Sequence, residues 1–185
     1  MDRPFCELGD SMDHGEEAAR ILFEAFGTIN SEAWPTMESA RREVSECVER
    51  PNLCVGVLDG ERLAGWVGLR PLYAKTWELH PLVIDSAFRG KGLGRRLLER
   101  LEENAREKGL IGIALGTDDD TFRTSLSRAR IDRSNIFREI ERIENLRAHP
   151  YEFYEKCGYM IVGLIPNANG RNKPDIWMWK SLVEE

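Results

Sequence analysis

The stretch Arg89-Gly90-Lys91-Gly92-Leu93-Gly94, with Arg95 and Arg96 behind it, constrains this chain more than any other. A strand-like run, Trp77 to Asp85, leads into it. An amphipathic helix starts inside it, because Leu93, Leu97, Leu98, Leu101 and Ala105 share one helical face and Gly109 stands where a C-cap glycine belongs. A strand, a glycine-rich turn and a helix N-terminus together suit an anion. The glycines let the backbone come close, and the first N–H groups of the helix point outward with the helix dipole behind them. Arg89, Lys91, Arg95 and Arg96 add charge at the same place. Without a ligand the same residues are only a helix start with spare glycines and a solvated basic face.

The glycine spacing narrows the kind of phosphate. The Walker pattern G-x-x-x-x-G-K-S/T is absent, since Gly94 is followed by Arg95-Arg96. The dinucleotide pattern G-x-G-x-x-G fails because Gly90, Gly92 and Gly94 alternate. A net charge of −6 argues against nucleic acid as a partner and leaves room for a cationic small molecule. With 42% hydrophobic and 31% charged residues, 185 residues suit one globular domain over 1–185. No apolar run approaches membrane length and the opening residues carry no signal-peptide pattern, so no membrane association is expected. Cys6, Cys47, Cys54 and Cys157 are scattered, with no C-x-x-C and no histidine at ligand spacing. Free thiols in a reducing, cytoplasmic setting are expected, and no metal site.

Pro4 to Leu8 reads as a short first strand and Met12 to Phe26 as a helix with Ala18, Leu22, Ala25 and Phe26 on one side. A loop carrying Asn30, Glu32 and Trp34 follows. A second helix, Thr36 to Glu49, holds Met37, Ala40, Val44, Cys47 and Val48 at helical spacing. Leu53–Leu58 and Arg62–Leu69 around Asp59-Gly60 form a hairpin. After the strand, glycine loop and third helix, Leu110 to Leu115 suits a buried strand. Thr117-Asp118-Asp119-Asp120 looks acidic and exposed. A helix is expected over Ser134–Arg147, with a stripe of Ile136, Phe137, Ile140, Ile143 and Leu146, and a short one over Tyr151–Lys156, stopped by Gly158. Tyr159–Ile165 and Asp175–Lys180 are the last strands, joined by the turn Asn167–Gly170. The final strand is apolar on both faces, which suits cover on both sides or a subunit contact in a homodimer. The order predicts an α/β fold with a mixed, mostly antiparallel central sheet flanked by helices, and a helical insertion between the fifth strand and the following helix.

Two motifs point to a family. Arg89-x-x-Gly92-x-Gly94 resembles the acetyl-CoA pyrophosphate loop of the GNAT superfamily of N-acetyltransferases, and Tyr154-Glu155-Lys156-Cys157-Gly158-Tyr159 is similar to the Y-E-K-x-G-F/Y signature of the same enzymes. The resemblance covers Trp77 to about Lys180. Four further runs look like a branch of the aminoglycoside 6'-N-acetyltransferases: Trp77–Val83, Gly116–Asp120, His149–Lys156 and Pro166–Ile176. The chain departs from the usual layout in length, because Thr117 to His149 is an insertion where most members have a short loop.

The resemblance implies the GNAT fold, acetyl-CoA as donor, and roles for particular residues. Acetyl transfer to an amine needs a polarised thioester carbonyl, a neutral amine and a proton for the leaving thiolate. By position the backbone of Leu82, Val83 and Ile84 takes the pantetheine and the acetyl oxygen, and Arg89, Gly90, Lys91, Gly92, Leu93, Gly94 and Arg95 take the pyrophosphate. Tyr154 matches the acid that protonates the sulfur, a contribution of about 10². Glu78 and His80, two apart on a strand, point to one face and are the candidate bases, although a water chain serves as well. Glu78, Asp118, Asp119, Asp120, Asp175, Glu32 and Trp34 are the candidates for holding a cationic aminoglycoside. Three readings stay open: an aminoglycoside 6'-N-acetyltransferase that confers antibiotic resistance, a GNAT enzyme for another amine such as a polyamine, small metabolite or protein N-terminus, and a non-catalytic acyl-CoA-binding module.

Overall fold

The computed structural model describes residues 3–9, 14–27 and 33–183. Its chain divides into two units, 1–113 with 182–185, and 114–181.

The first unit contains β1 (Phe5–Glu7), α1 (Gly15–Gly27), α2 (Met37–Val48), β2 (Leu53–Asp59), β3 (Arg62–Pro71), β4 (Thr76–Ile84) and α3 (Leu93–Glu107). The strands lie in the order β1-β2-β3-β4, each antiparallel to the next. Local chemistry explains the elements. Thr36 caps α2 in a reciprocal box with Ser39. Gly60, at φ 66°, makes the β2–β3 turn that Asp59-Gly60 predicts. The core gathers around Trp66, which is fully buried and whose indole N–H donates to the Ala18 carbonyl at 3.1 Å. Ala18, Leu22, Ala40, Val44 and Leu63 pack in the same cluster. On α3 the predicted stripe is buried, and truncating its fully buried Leu97 or Leu101 to alanine should cost about 2–5 kcal/mol.

A bulge interrupts the β3–β4 ladder. Leu69 pairs with Leu79 and Val67 with Leu82, so Gly68 faces two residues, His80 and Pro81. Pro81 has no N–H to give the ladder. A side chain at Gly68 would put its Cβ 2.5 Å from the His80 carbonyl oxygen, so only glycine fits there.

The second unit receives β5 (Gly112–Asp118) and adds α4 (Ile136–Glu141), α5 (Tyr151–Lys156), β6 (Met160–Ile165) and β7 (Asp175–Ser181), with strand order β5-β7-β6. The expected helix over 134–147 is one short helix, α4, none of whose residues is buried, and Phe137 is 79% exposed. Tertiary pairing wins beyond Glu141: the Ser125 amide donates to Glu144, the Leu146 and Arg147 amides donate to Arg123, and Thr124 and Asn145 form a bridge. The insertion between β5 and α5 is therefore only partly helical, with one further 3-10 turn at Ser125–Arg128. β7 buries Ile176 and Met178 and leaves Trp177 and Trp179 partly covered. The α/β class is the one expected. Among the described residues no helix is long and apolar enough to cross a membrane, and all four cysteines are free thiols.

Candidate active site

The glycine loop of the first unit has the strand, turn and helix order that its sequence predicts. β4 ends at Ile84, and Asp85 caps the 3-10 turn Ser86–Phe88 by accepting the Ala87 amide at 2.9 Å. Asp85 is buried. Burial alone would raise its pKa, but the Arg20 hydrogen bond at 2.8 Å and the Ala87 amide outweigh it and hold the carboxyl below its usual range. Gly90 and Gly92 follow at φ 73° and 76°. Gly92 is the N-cap of α3, and no side chain caps the helix. The first bond closing the helix is Arg96 N–H to Gly92 O at 3.2 Å, so the helix opens with the turn Leu93-Gly94-Arg95. A Cβ at Gly90 or Gly92 would meet nothing within 4 Å, so these glycines are required by backbone conformation and not by packing.

The basic residues around this loop are less uniform than the sequence suggests. Arg89 donates from Nε to the Ile84 carbonyl at 3.2 Å and Lys91 from Nζ to the Ala87 carbonyl at 2.9 Å, so both brace the loop. Arg96 turns away to the Arg3 carbonyl and lies over the Phe5 ring.

Burial alternates along β4. Trp77, Leu79, Pro81 and Val83 are buried, while Glu78, His80, Leu82 and Ile84 are half-buried on the other face. This face holds the two candidate bases, and neither stands alone. Glu78 accepts from Arg70 Nε at 2.8 Å. His80 Nε2 lies 3.4 Å from Oε1 of Glu43, a residue of α2 that the sequence reading did not single out. Glu43 also accepts from the Trp34 indole at 3.0 Å and the Cys47 thiol at 3.4 Å. Burial pushes the Glu43 carboxyl up, but the donors, His80 foremost, pull it down to about 2. Trp34 packs beside His80 with ring centroids 5.4 Å apart and edge-on to Phe26 at 4.6 Å. Its polar atom serves Glu43. One signal was present in the sequence: Glu43 interrupts the apolar stripe Ala40–Val44–Cys47, being three residues after Ala40 and four before Cys47.

In the second unit the three consecutive aspartates do three different things. Asp118 closes β5, is exposed, and accepts from Asn169 Nδ2 at 2.5 Å. Asp119 is fully buried. Its carboxylate accepts from the Arg123 amide at 2.5 Å, the Thr124 amide at 2.9 Å and the Thr124 hydroxyl at 2.7 Å. This corrects the expectation that Asp119 is exposed: its oxygens accept from its own loop. Asp120 is half-exposed. Asp175 starts β7 against Gly116, where a Cβ would lie 2.8 Å from each carboxylate oxygen. Glu32 lies outside the described residues. His149 ties the insertion to β5: its Nε2 donates to the Asp118 carbonyl at 3.1 Å, its Nδ1 accepts the Tyr151 amide at 3.3 Å, and burial lowers its pKa.

Tyr154 sits on α5 with 8% of its surface exposed, edge-on to Phe153 and Tyr159. Burial, with a smaller push from Cys157, raises its pKa above that of an ordinary phenol, so it stays protonated and able to donate.

The family profile described as "Acetyltransferase (GNAT) family" matches residues 17–126, more than half of the chain. Over 124 residues the chain is 27% identical to the N-alpha-acetyltransferase RimI of Mycobacterium tuberculosis, spanning 65% of this chain and 75% of that protein. Two solved structures align over 98% of both chains. One is an aminoglycoside 6'-N-acetyltransferase complexed with coenzyme A, with a TM-score of 0.88 and 37% identity. The other is the aminoglycoside 6'-N-acetyltransferase from Enterococcus faecium, with a TM-score of 0.87 and 38% identity. The chain belongs to the GNAT family of acetyl-CoA-dependent N-acetyltransferases.

Proposed function

We propose that this protein is an aminoglycoside 6'-N-acetyltransferase, moving the acetyl group of acetyl-CoA onto the primary 6' amine of an aminoglycoside antibiotic. The observation that carries this reading is the likeness, along nearly the whole chain and at 37–38% identity, to two enzymes of that activity. The resemblance of four separate runs, including Trp77–Val83 on β4 and Pro166–Ile176 before and into β7, supports it.

The chain's residues divide the work as follows. The glycine loop and first turn of α3, from Arg89 to Arg95, hold the pyrophosphate, while the backbone of Leu82, Val83 and Ile84 orients the pantetheine and acetyl carbonyl. His80, its ring fixed by Glu43, or Glu78, paired with Arg70, takes the proton from the attacking amine, directly or through water. The amine nitrogen bonds to the carbonyl carbon, the carbon–sulfur bond breaks, and Tyr154 gives its proton to the departing thiolate. Asp118, Asp120 and Asp175 hold the ammonium groups that do not react. Trp34 acts through Glu43 and His80.

A second reading has its own observation: the identity with an N-alpha-acetyltransferase favours a protein N-terminus as acceptor. The two are separated by measuring thiol release from acetyl-CoA with an aminoglycoside and with a peptide bearing a free α-amine. Turnover of the peptide alone would replace the first reading by the second.

A further inference from the structure

The second unit contains a cavity of about 570 Å³ between the insertion and the β6–β7 turn. Arg128, Arg130 and Arg171 line it with Asn167 and Asn172, together with the buried Leu126 and Pro174. Among the described residues no carboxylate lines it, in a chain with 32 acidic and 26 basic side chains. Some arginines elsewhere in the protein are matched, among them Arg3 with Asp59, Arg20 with Asp85, Arg41 with Glu16 and Arg70 with Glu78. The guanidinium groups of Arg128, Arg130 and Arg171 form no ion pair among the described residues. Asp132, which feels the charge of Arg130, spends one carboxylate oxygen on the Ser134 amide at 2.8 Å and hydroxyl at 2.5 Å.

Both walls are held by their own hydrogen bonds. On one side Asn135 donates from Nδ2 to the Arg130 carbonyl at 2.9 Å and accepts the Asp132 amide at 2.8 Å. On the other, Asn167 and Asn172 adopt φ 57° and 59°, and the Asn172 amide donates to the Asn167 side chain at 2.7 Å. Three guanidinium forks carried on these walls, with no carboxylate among the lining residues, match oxyanions, which accept two N–H bonds from one fork. The volume suits a small molecule.

We propose that this cavity is a binding site for a small polyanion bearing phosphate or carboxylate groups. The proposal does not depend on which amine the enzyme acetylates. Calorimetry tests it on the full chain saturated with coenzyme A, so that the glycine loop is already filled. Inorganic pyrophosphate and citrate are titrated separately, which distinguishes phosphate from carboxylate ligands. At least one should bind, and Arg128→Gln with Arg171→Gln should weaken it at least tenfold without altering coenzyme A affinity. Arg128→Lys with Arg171→Lys, which keeps the charge and loses the fork, should fall in between. Both side chains are exposed, so thermal melting of either double variant should match the parent. Failure of both probes to bind, equal binding by the Gln variant, or a parallel loss of coenzyme A affinity would overturn the proposal.

Discussion

Replacing Gly92 with alanine tests the anion site through its backbone. Gly92 sits at φ 76° and ψ 3°, and a methyl group there would meet no protein atom within 4 Å. The cost to folding is therefore the conformational penalty alone, about 1–2 kcal/mol for a non-glycine residue in the left-handed region. In a chain of this size that lowers the melting temperature by ~2–8 °C. Gly60 supplies a matched control, at φ 66° and also with nothing within 4 Å, but in the β2–β3 turn. Gly60→Ala should lose similar stability. If the proposed pyrophosphate role holds, only Gly92→Ala should also lose ligand affinity, because Gly92 is the N-cap that precedes the first amides of α3. A loss of ~1.4 kcal/mol is a tenfold weaker acetyl-CoA Kd, and at least that is expected. Melting curves and calorimetry on both variants decide it. If Gly92→Ala melts like Gly60→Ala and binds acetyl-CoA as the parent does, the loop is not the pyrophosphate site.

Three further outcomes follow from the geometry. Tyr154→Phe should lower kcat by ~10² with little change in the acetyl-CoA KM, measured where chemistry limits turnover; an unchanged kcat would leave Tyr154 a packing residue. Glu43→Gln should lower kcat through the loss of the partner that fixes His80. It should also flatten the acid limb of stability, because a carboxyl held at about 2 instead of 4.5 stabilises the fold above pH 4.5 and loses that contribution as pH falls toward 2. Denaturant titrations from pH 2 to 5 and steady-state kinetics read the two effects. Asp119→Ala should strand three donors, the Thr124 amide and hydroxyl being buried, and cost ~3 kcal/mol or more, whereas Asp120→Ala should stay within ~0.5 kcal/mol; equal melting of the two would refute the assignment.

Much of the first unit was legible in the sequence because its signals are local. The stripe from Leu93 to Ala105, the Asp59-Gly60 turn and the alternating burial of β4 depend on neighbours three, four or two residues away. What escaped depends on distant partners. The stripe from Ile136 to Leu146 has helical spacing, yet its second half bonds to residues 123–125. Asp118, Asp119 and Asp120 are identical as letters. They differ because β5 runs on to Asp118, so alternation turns Asp118 outward and leads Asp119 into the protein. Glu43 was visible only as an acid on an apolar stripe, and its meaning came with His80, 37 positions later in the chain and on another element. The arginine cavity is assembled from residues about forty positions apart, and no sequence motif marks it.

The most direct test of the account is thiol release from acetyl-CoA with paired aminoglycosides that carry either a 6' amine or a 6' hydroxyl, followed by mass spectrometry of the product. Turnover of the 6'-amino compound, one acetyl group on its 6' nitrogen and no turnover of the 6'-hydroxyl compound is the expected result. No turnover of the amino compound, or equal turnover of both, would contradict the assignment of the acceptor.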